Sequence, residues 1–154
     1  MKIFVYERYE QIKDIEQVKI LIQSQMKVIN AVRSIDDIDL ALRSTLQKGK
    51  RAYLFVCSVE NEVIGFVFGN ISSGIESGGD YFWMNEVHVK ESARKKQVAM
   101  TILKYLEEWL RRKKIHHIYG ITSKQNEIAL RLYSKLGYSE EEMIWIDKYI
   151  KSTV

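Results

Sequence analysis

Apolar positions recur along this chain with two different spacings, and the alternation between them sets out an order of elements. Lys2 to Tyr9 carries Ile3, Val5 and the tyrosines, which read as a first strand. From Gln11 to Ile29 the residues Ile12, Ile15, Val18, Ile22, Met26 and Ile29 recur every three or four positions, which predicts a helix. Ser34 followed by Asp36 and Asp37 reads as the start of a second helix. It places Ile38, Ala41, Leu42 and Leu46 inward and stops near Gly49. Ala52 to Val59 and Val63 to Ile71 read as two strands, joined as a hairpin through Glu60-Asn61-Glu62.

Ser72 to Asp80, rich in glycine and serine, reads as a loop before a fourth strand, Tyr81 to Lys90. A long helix is expected over about Lys95 to Lys114, with Val98, Ala99, Ile102, Leu103, Leu106, Trp109 and Leu110 in one stripe. His116 to Thr122 reads as a fifth strand. Asn126 to Leu136 reads as a short helix with Ile128, Ala129, Leu132, Tyr133 and Leu136 inward, capped by Gly137. Tyr138 to Ile150 is expected to supply the last strand or hairpin. This order, β-α-α-β-β-β-α-β-α-β, is that of an α/β protein.

Composition narrows the functional classes. At 154 residues, 46% hydrophobic and 29% charged, the chain is expected to form one globular domain over 1–154. No apolar run approaches the roughly 20 residues of a membrane span, and Met1 to Tyr9 lacks a signal peptide's apolar block. The single cysteine, Cys57, lies in a strand-like run and reads as core. It has no internal disulfide partner, and a reducing, cytoplasmic setting is the expectation. No cysteine–histidine spacing resembles a zinc site, and no metal is expected. The net charge of +4 admits an anionic ligand. The basic clusters have local explanations: Arg111 to Lys114 closes a helix where cations favour the macrodipole. No nucleic-acid reader motif is present, and nucleic acid is not expected as a partner.

Two segments carry chemistry. In Tyr81 to Leu103 a strand ends, and a helix begins inside the basic run Arg94-Lys95-Lys96. Backbone N–H groups at such a helix start are suited to a phosphate or pyrophosphate. In Asn126 to Tyr138, Asn126, Ala129 and Tyr133 share one helix face.

Both segments resemble motifs of the GNAT acetyltransferases. That family has Gln/Arg-x-x-Gly-x-Gly/Ala after its fourth strand, and Arg94-Lys95-Lys96-Gln97-Val98-Ala99 stands at that place here. About thirty residues later it has Asn-x-x-Ala-x-x-Leu/Phe-Tyr-x-Lys-x-Gly-Phe/Tyr, matched by Asn126, Ala129, Leu132, Tyr133, Lys135, Gly137 and Tyr138.

The resemblance implies a GNAT fold, with a mixed, mostly antiparallel twisted sheet of about six to seven strands and about four helices. It also implies acetyl-CoA as co-substrate and a primary amine as acceptor, in a small molecule or peptide. By position, the backbones of Val87 and Val89 pair with the pantetheine arm. The N–H groups of Lys95, Lys96, Gln97, Val98 and Ala99, with the Arg94 side chain, hold the pyrophosphate. Asn126 and Ala129 belong to the same cofactor site, and Lys135 reaches toward an adenosine phosphate. Glu86 is the candidate base, with His88, two residues on and on the same face, as its rival. Tyr133 is the candidate acid near the CoA sulfur. His116 and His117 have no motif behind them.

Gln97 departs from the family's glycine. It is expected to keep a helical conformation and still offer its N–H, with weakened cofactor binding. It favours the alternative reading, a module that holds acyl-CoA without catalysis, whereas Asn126 with Tyr133 argues against that. The acceptor is expected between Gln25–Arg33 and Ser72–Asp80, where Glu76 and Asp80 would attract a cationic amine. A homodimer through the C-terminal strands, with Trp145 at the interface, is also compatible with the resemblance.

Overall fold

The computed structural model describes residues 1–151. Its elements are β1 (Lys2–Tyr6), α1 (Ile15–Val28), α2 (Ile35–Thr45), β2 (Ala52–Val59), β3 (Glu62–Gly74), β4 (Gly79–Val89), α3 (Val98–Arg112), β5 (Ile118–Gly120) and α4 (Glu127–Lys135). The strands form one mixed sheet in sequence order. β1–β2, β2–β3 and β3–β4 are antiparallel, and β4–β5 is parallel. The chain clusters into two compact units, Met1–Thr122 with the whole sheet and a second beginning at Ser123, which holds α4.

Side-chain alternation gives each sheet face its own helices. Leu54, Val56 and Phe66 turn to one face, where they form a core with Val18 and Leu21 of α1 and Ile38 and Leu42 of α2. Phe55 turns to the other face, where Tyr105 and Trp109 of α3 meet it edge-on. Cys57, two residues along β2 from Phe55, is fully buried, and burial pushes its thiol pKa up, so it is inert core.

α2 begins at the capping box expected there: Asp37 N–H donates to Ser34 Oγ at 3.0 Å, and Ser34 N–H donates to the Asp37 carboxylate at 3.1 Å. α1 and α2 are tied by Asp39, which accepts from Tyr9 Oη (2.5 Å), Arg43 Nε (2.7 Å) and Lys19 Nζ (3.3 Å). The Tyr9 hydrogen bond, then Arg43, holds the Asp39 carboxyl down to about 2. At the end of α3, Lys113 lies 4.6 Å over the Trp109 ring and Arg111 pairs with Glu108, so this basic run is occupied locally.

The structure corrects several expectations. The sheet has five strands among the described residues, not six to seven. Tyr138 to Ile150 forms no strand, although its apolar residues Ile144, Ile146 and Ile150 are more than four-fifths exposed. An apolar, β-branched run such as Met143 to Ile146 does not make a strand by itself; it needs a ladder partner for its backbone. β5 is three residues long rather than spanning His116 to Thr122.

The expected loop Ser72–Asp80 is mostly ladder. Ser72 pairs with Tyr81, Ser73 with Asp80 and Gly74 with Gly79, leaving a tight turn at 75–78. The β2–β3 hairpin turns on Glu60 (φ 49°) and Asn61 (φ 68°), both left-handed as a two-residue type I′ turn requires. Ile128 is 77% exposed, because it falls outside the 129–132–133–136 stripe of α4.

Candidate functional site

The site is built on a defect in the β3–β4 ladder. Phe68 pairs with Glu86 but Gly69 with Met84, so Asn85 is an extra, unpaired residue, a β-bulge. One extra residue reverses both alternations of a strand. Before the bulge Phe82 donates its N–H toward β5, to His117 O at 2.9 Å; after it Lys90 donates toward β3, to Ile64 O at 2.8 Å. By alternation, the N–H and C=O of Val87 and Val89 then point away from β3. β5 pairs with Phe82, Trp83 and Met84, so among the described residues no strand covers that side of β4 beyond the bulge.

The side chains change faces as well. Phe82 packs with Phe55 on the α3 face. Glu86 instead opposes Phe68 and meets α1, accepting a hydrogen bond from Gln25 Nε2. His88 shares the Glu86 face, its ring 6.2 Å from that of Phe66. Burial raises the Glu86 carboxyl pKa against the lowering effect of the Gln25 bond. Burial, then the nearby Arg94 charge, lowers the His88 pKa, and His88 Nε2 is buried without a hydrogen-bond partner. The face bearing Glu86 opens into a cavity of about 340 Å³ between α1, α2 and the sheet.

Beside the open end of β4 stands the start of α3. Gly65 pairs with Val89, and a Cβ at Gly65 would sit 2.9 Å from Val98 Cγ1, so the helix rests directly on β3 there. The helix begins one turn later than expected, at Val98. Lys95 (φ 62°) and Gln97 (φ 60°) are left-handed while Lys96 between them is not. This alternation turns successive N–H groups toward one concavity. Arg94 N–H donates to Glu91 O and Thr101 N–H to Gln97 O; among the described residues, no carbonyl or side chain engages the N–H groups of Lys95 to Ala99. Arg94, Lys95, Lys96 and Gln97 are all exposed around it, and Arg94 Nε makes a long contact, 3.4 Å, to Val89 O. Oriented N–H groups at a helix N-terminus, ringed by cations, suit a pyrophosphate.

The expected helical conformation of Gln97 is thus corrected. It occupies the left-handed region that glycine enters freely and other residues enter at about 1–2 kcal/mol. Burial of Val98, Ile102, Leu103, Leu106 and Leu110, at roughly 1.5–3 kcal/mol each, outweighs that cost and holds the helix start in place. Gln97→Gly should therefore fold without loss. The relieved backbone offsets the extra freedom of glycine in the unfolded chain, and the unfolding free energy from urea titration should stay level or rise by up to about 1 kcal/mol. A drop of more than that would contradict the left-handed assignment.

In the second unit, Asn126 caps α4, its Oδ1 accepting from Ala129 N–H at 3.2 Å, and Ala129 and Tyr133 follow on one face. Burial raises the Tyr133 phenol pKa, and its ring lies 5.3 Å from that of Tyr138. Lys135 is exposed in the last turn.

Other candidates are placed differently. Asp80 is engaged by Arg51 and Ser73, and Glu76 is exposed on the β3–β4 turn. Gln25 and Arg33 bound a stretch expected to face the acceptor but carry no individual role in the sequence reading, and the Asn85 bulge is absent from it. Only the bulge had a signal, an isolated glycine, Gly69, inside the opposing strand. No helix among the described residues is long and apolar enough to cross a membrane.

Solved structures share this fold at low identity. A probable acetyltransferase matches with a TM-score of 0.81 at 19% identity, covering 99% of both chains. An aminoglycoside acetyltransferase from an uncultured soil metagenomic sample, in complex with trehalose, gives 0.77 at 15% over 97% of this chain and 96% of its own. A ribosomal-protein-alanine N-acetyltransferase from Brucella melitensis biovar Abortus 2308 gives 0.75 at 15%, over 96% and 98%. These likenesses concern the fold. No curated protein matches the sequence. A sequence model described as the Acetyltransferase (GNAT) family matches residues 20–138, which takes in the β4 bulge, the turn of Lys95 to Ala99 and α4, and the chain belongs to that family.

Proposed function

We propose that this protein transfers an acetyl group from acetyl-CoA directly to a primary amine. The observation that carries the reading is the joint exposure of two sets of backbone groups on one side of the fold. The turn of Lys95 to Ala99 offers unengaged N–H donors, and Val87 and Val89 offer ladder groups that no strand uses. Together they suit a ligand with a pyrophosphate at one end and an amide-bearing arm at the other. Arg94 and the lysines supply charge for the pyrophosphate. Asn126, Ala129 and Lys135 are carried to the same cofactor by the motif they match, and a cytoplasmic location follows from the same reading.

The chemistry needs a deprotonated amine, a stabilised oxyanion and a protonated leaving group. An alkylammonium, with a pKa of about 10.4, is almost wholly protonated at neutral pH. Glu86 is the base, taking that proton directly or through a water, because it alone of the two candidate bases lines the cavity. The amine nitrogen bonds to the acetyl carbon, the carbon–sulfur bond breaks and its electron pair leaves on sulfur. A backbone N–H of Val87 or Val89 meets the developing oxyanion. Tyr133, kept protonated by its raised pKa, donates to the departing thiolate. Holding both substrates together removes the need for a covalent enzyme intermediate.

Calorimetry with acetyl-CoA, followed by assay of CoA release with an amine panel, tests this. The expected result is binding near micromolar, roughly −8 kcal/mol, with amine-dependent release of CoA. Tyr133→Phe should bind acetyl-CoA as the wild type does and release CoA at least about tenfold more slowly. Folded protein that binds no acyl-CoA would refute the reading. Binding without turnover of any amine would favour the non-catalytic module.

A further inference from the structure

The cavity facing Glu86 has a composition that selects among amines. Its walls are Ile22 and Met26 of α1, Leu42 of α2, and Leu54, Phe66 and Phe68 of the sheet. At about 340 Å³ it lies at the small end of ligand pockets, roughly 300–1,000 Å³. Three charged side chains reach it. Glu86 is half-buried against the sheet, whereas Arg33 and Asp37 are exposed at the mouth. Asp37 accepts from both Ser34 N–H and Ser34 Oγ in the α2 capping box; these bonds, and the nearby Arg33 charge, lower its pKa, so the mouth carries one charge of each sign. The Arg33 guanidinium has no carboxylate within ion-pair distance among the described residues. A ligand carrying several ammonium groups would therefore find one half-buried carboxylate, apolar walls and an entrance where Arg33 offsets Asp37.

We infer that the acceptor is a compact monoamine on an apolar body, its nitrogen at Glu86 and its hydrocarbon or aromatic part against α1 and α2, and that polyamines and aminoglycosides are excluded. This rests on the proposed transfer reaction for its chemistry, but the pocket's preference is measurable without turnover. Each added methylene buried in the cavity should strengthen binding several-fold until the space is filled. Arg33 offsets Asp37 at the mouth, which leaves no uncompensated carboxylate there for a second positive charge.

The test pairs binding with turnover on the full chain. Calorimetry should show affinity rising several-fold per methylene from propylamine to hexylamine, with phenethylamine bound and spermidine and kanamycin at least tenfold weaker than hexylamine. Ala41→Phe, on the exposed side of α2 but lining the cavity, should weaken hexylamine at least tenfold and leave acetyl-CoA binding unchanged. Arg33→Asp should bring spermidine closer to hexylamine. A flat methylene series, tighter binding of spermidine or kanamycin, or an Ala41→Phe variant that binds hexylamine normally would overturn the inference. Loss of acetyl-CoA binding or CoA release, with the amine ranking intact, would count against the transfer reaction alone.

Discussion

A Glu86→Gln variant should release CoA about 10²- to 10⁴-fold more slowly than the wild type at neutral pH, with its affinity for acetyl-CoA unchanged. That is the usual loss when a general base is removed. The isosteric amide keeps an oxygen for Gln25 Nε2 to donate to, so the fold around it survives. The sign of the stability effect distinguishes this from a structural role. Burial raises the Glu86 pKa above its ordinary value of 4.5 in the folded state. A carboxyl raised on folding favours the native state below its unfolded pKa and loses that contribution as pH rises through the folded value. At neutral pH the ionised carboxylate is thus a cost to folding, and Glu86→Gln should unfold at the same temperature or higher.

The same shift fixes the pH profile: kcat/KM should climb with pH through a value above 4.5, and the variant should lose that limb. His88 is the internal control. Its lowered pKa leaves it neutral at pH 7 and competent as a base, but its Nε2 is buried and it does not line the cavity. His88→Gln losing as much activity as Glu86→Gln, with a comparable pH limb lost, would move the base to His88.

Much of this arrangement was legible in the sequence, and what was not has physical causes. The α3 stripe and the Ser34 cap depend on local spacing and local hydrogen bonds, so the residues themselves declare them. The family resemblance likewise rests on side chains at fixed spacing, from Asn126 to Tyr138. The bulge is different. Tyr81 to Lys90 reads as an unbroken strand, because one inserted residue leaves composition unchanged while reversing which groups face β3. Gln97 reads as helical for a related reason: propensity disfavours the left-handed region, and the burial of α3 against the sheet, with Val98 and Ile102 over Gly65, explains why the chain accepts it. Tyr138 to Ile150 carries a strand-like apolar run, Met143 to Ile146, but composition does not name the edge that would pair with it.

The largest stability effect expected anywhere in the sheet is at Gly69, and it bears on the site as well. A Cβ there would meet the carbonyl oxygen of Trp83 and lie 2.5 Å from Phe82 Cζ. Neither neighbour yields cheaply: one is ladder backbone, and the other is a fully buried ring wedged against Phe55. Gly69→Ala should destabilise by about 2–4 kcal/mol, at or above the usual overpacking range. For a chain of this size that is a fall of roughly 5–15 °C in Tm. Gly65→Ala supplies the comparison, since its Cβ would press on Val98 and Ile102 side chains at 2.9 and 3.1 Å, and its loss should be smaller. Because Gly69 sits where the register shifts, the strand can relieve the clash by giving up the bulge. That would return Glu86 to the α3 face and turn Val87 and Val89 back toward β3. Gly69→Ala should then lose both acetyl-CoA affinity and turnover below its own melting temperature, whereas Glu86→Gln loses turnover alone. A Gly69→Ala protein with wild-type Tm and wild-type activity would show that the bulge does not depend on this glycine.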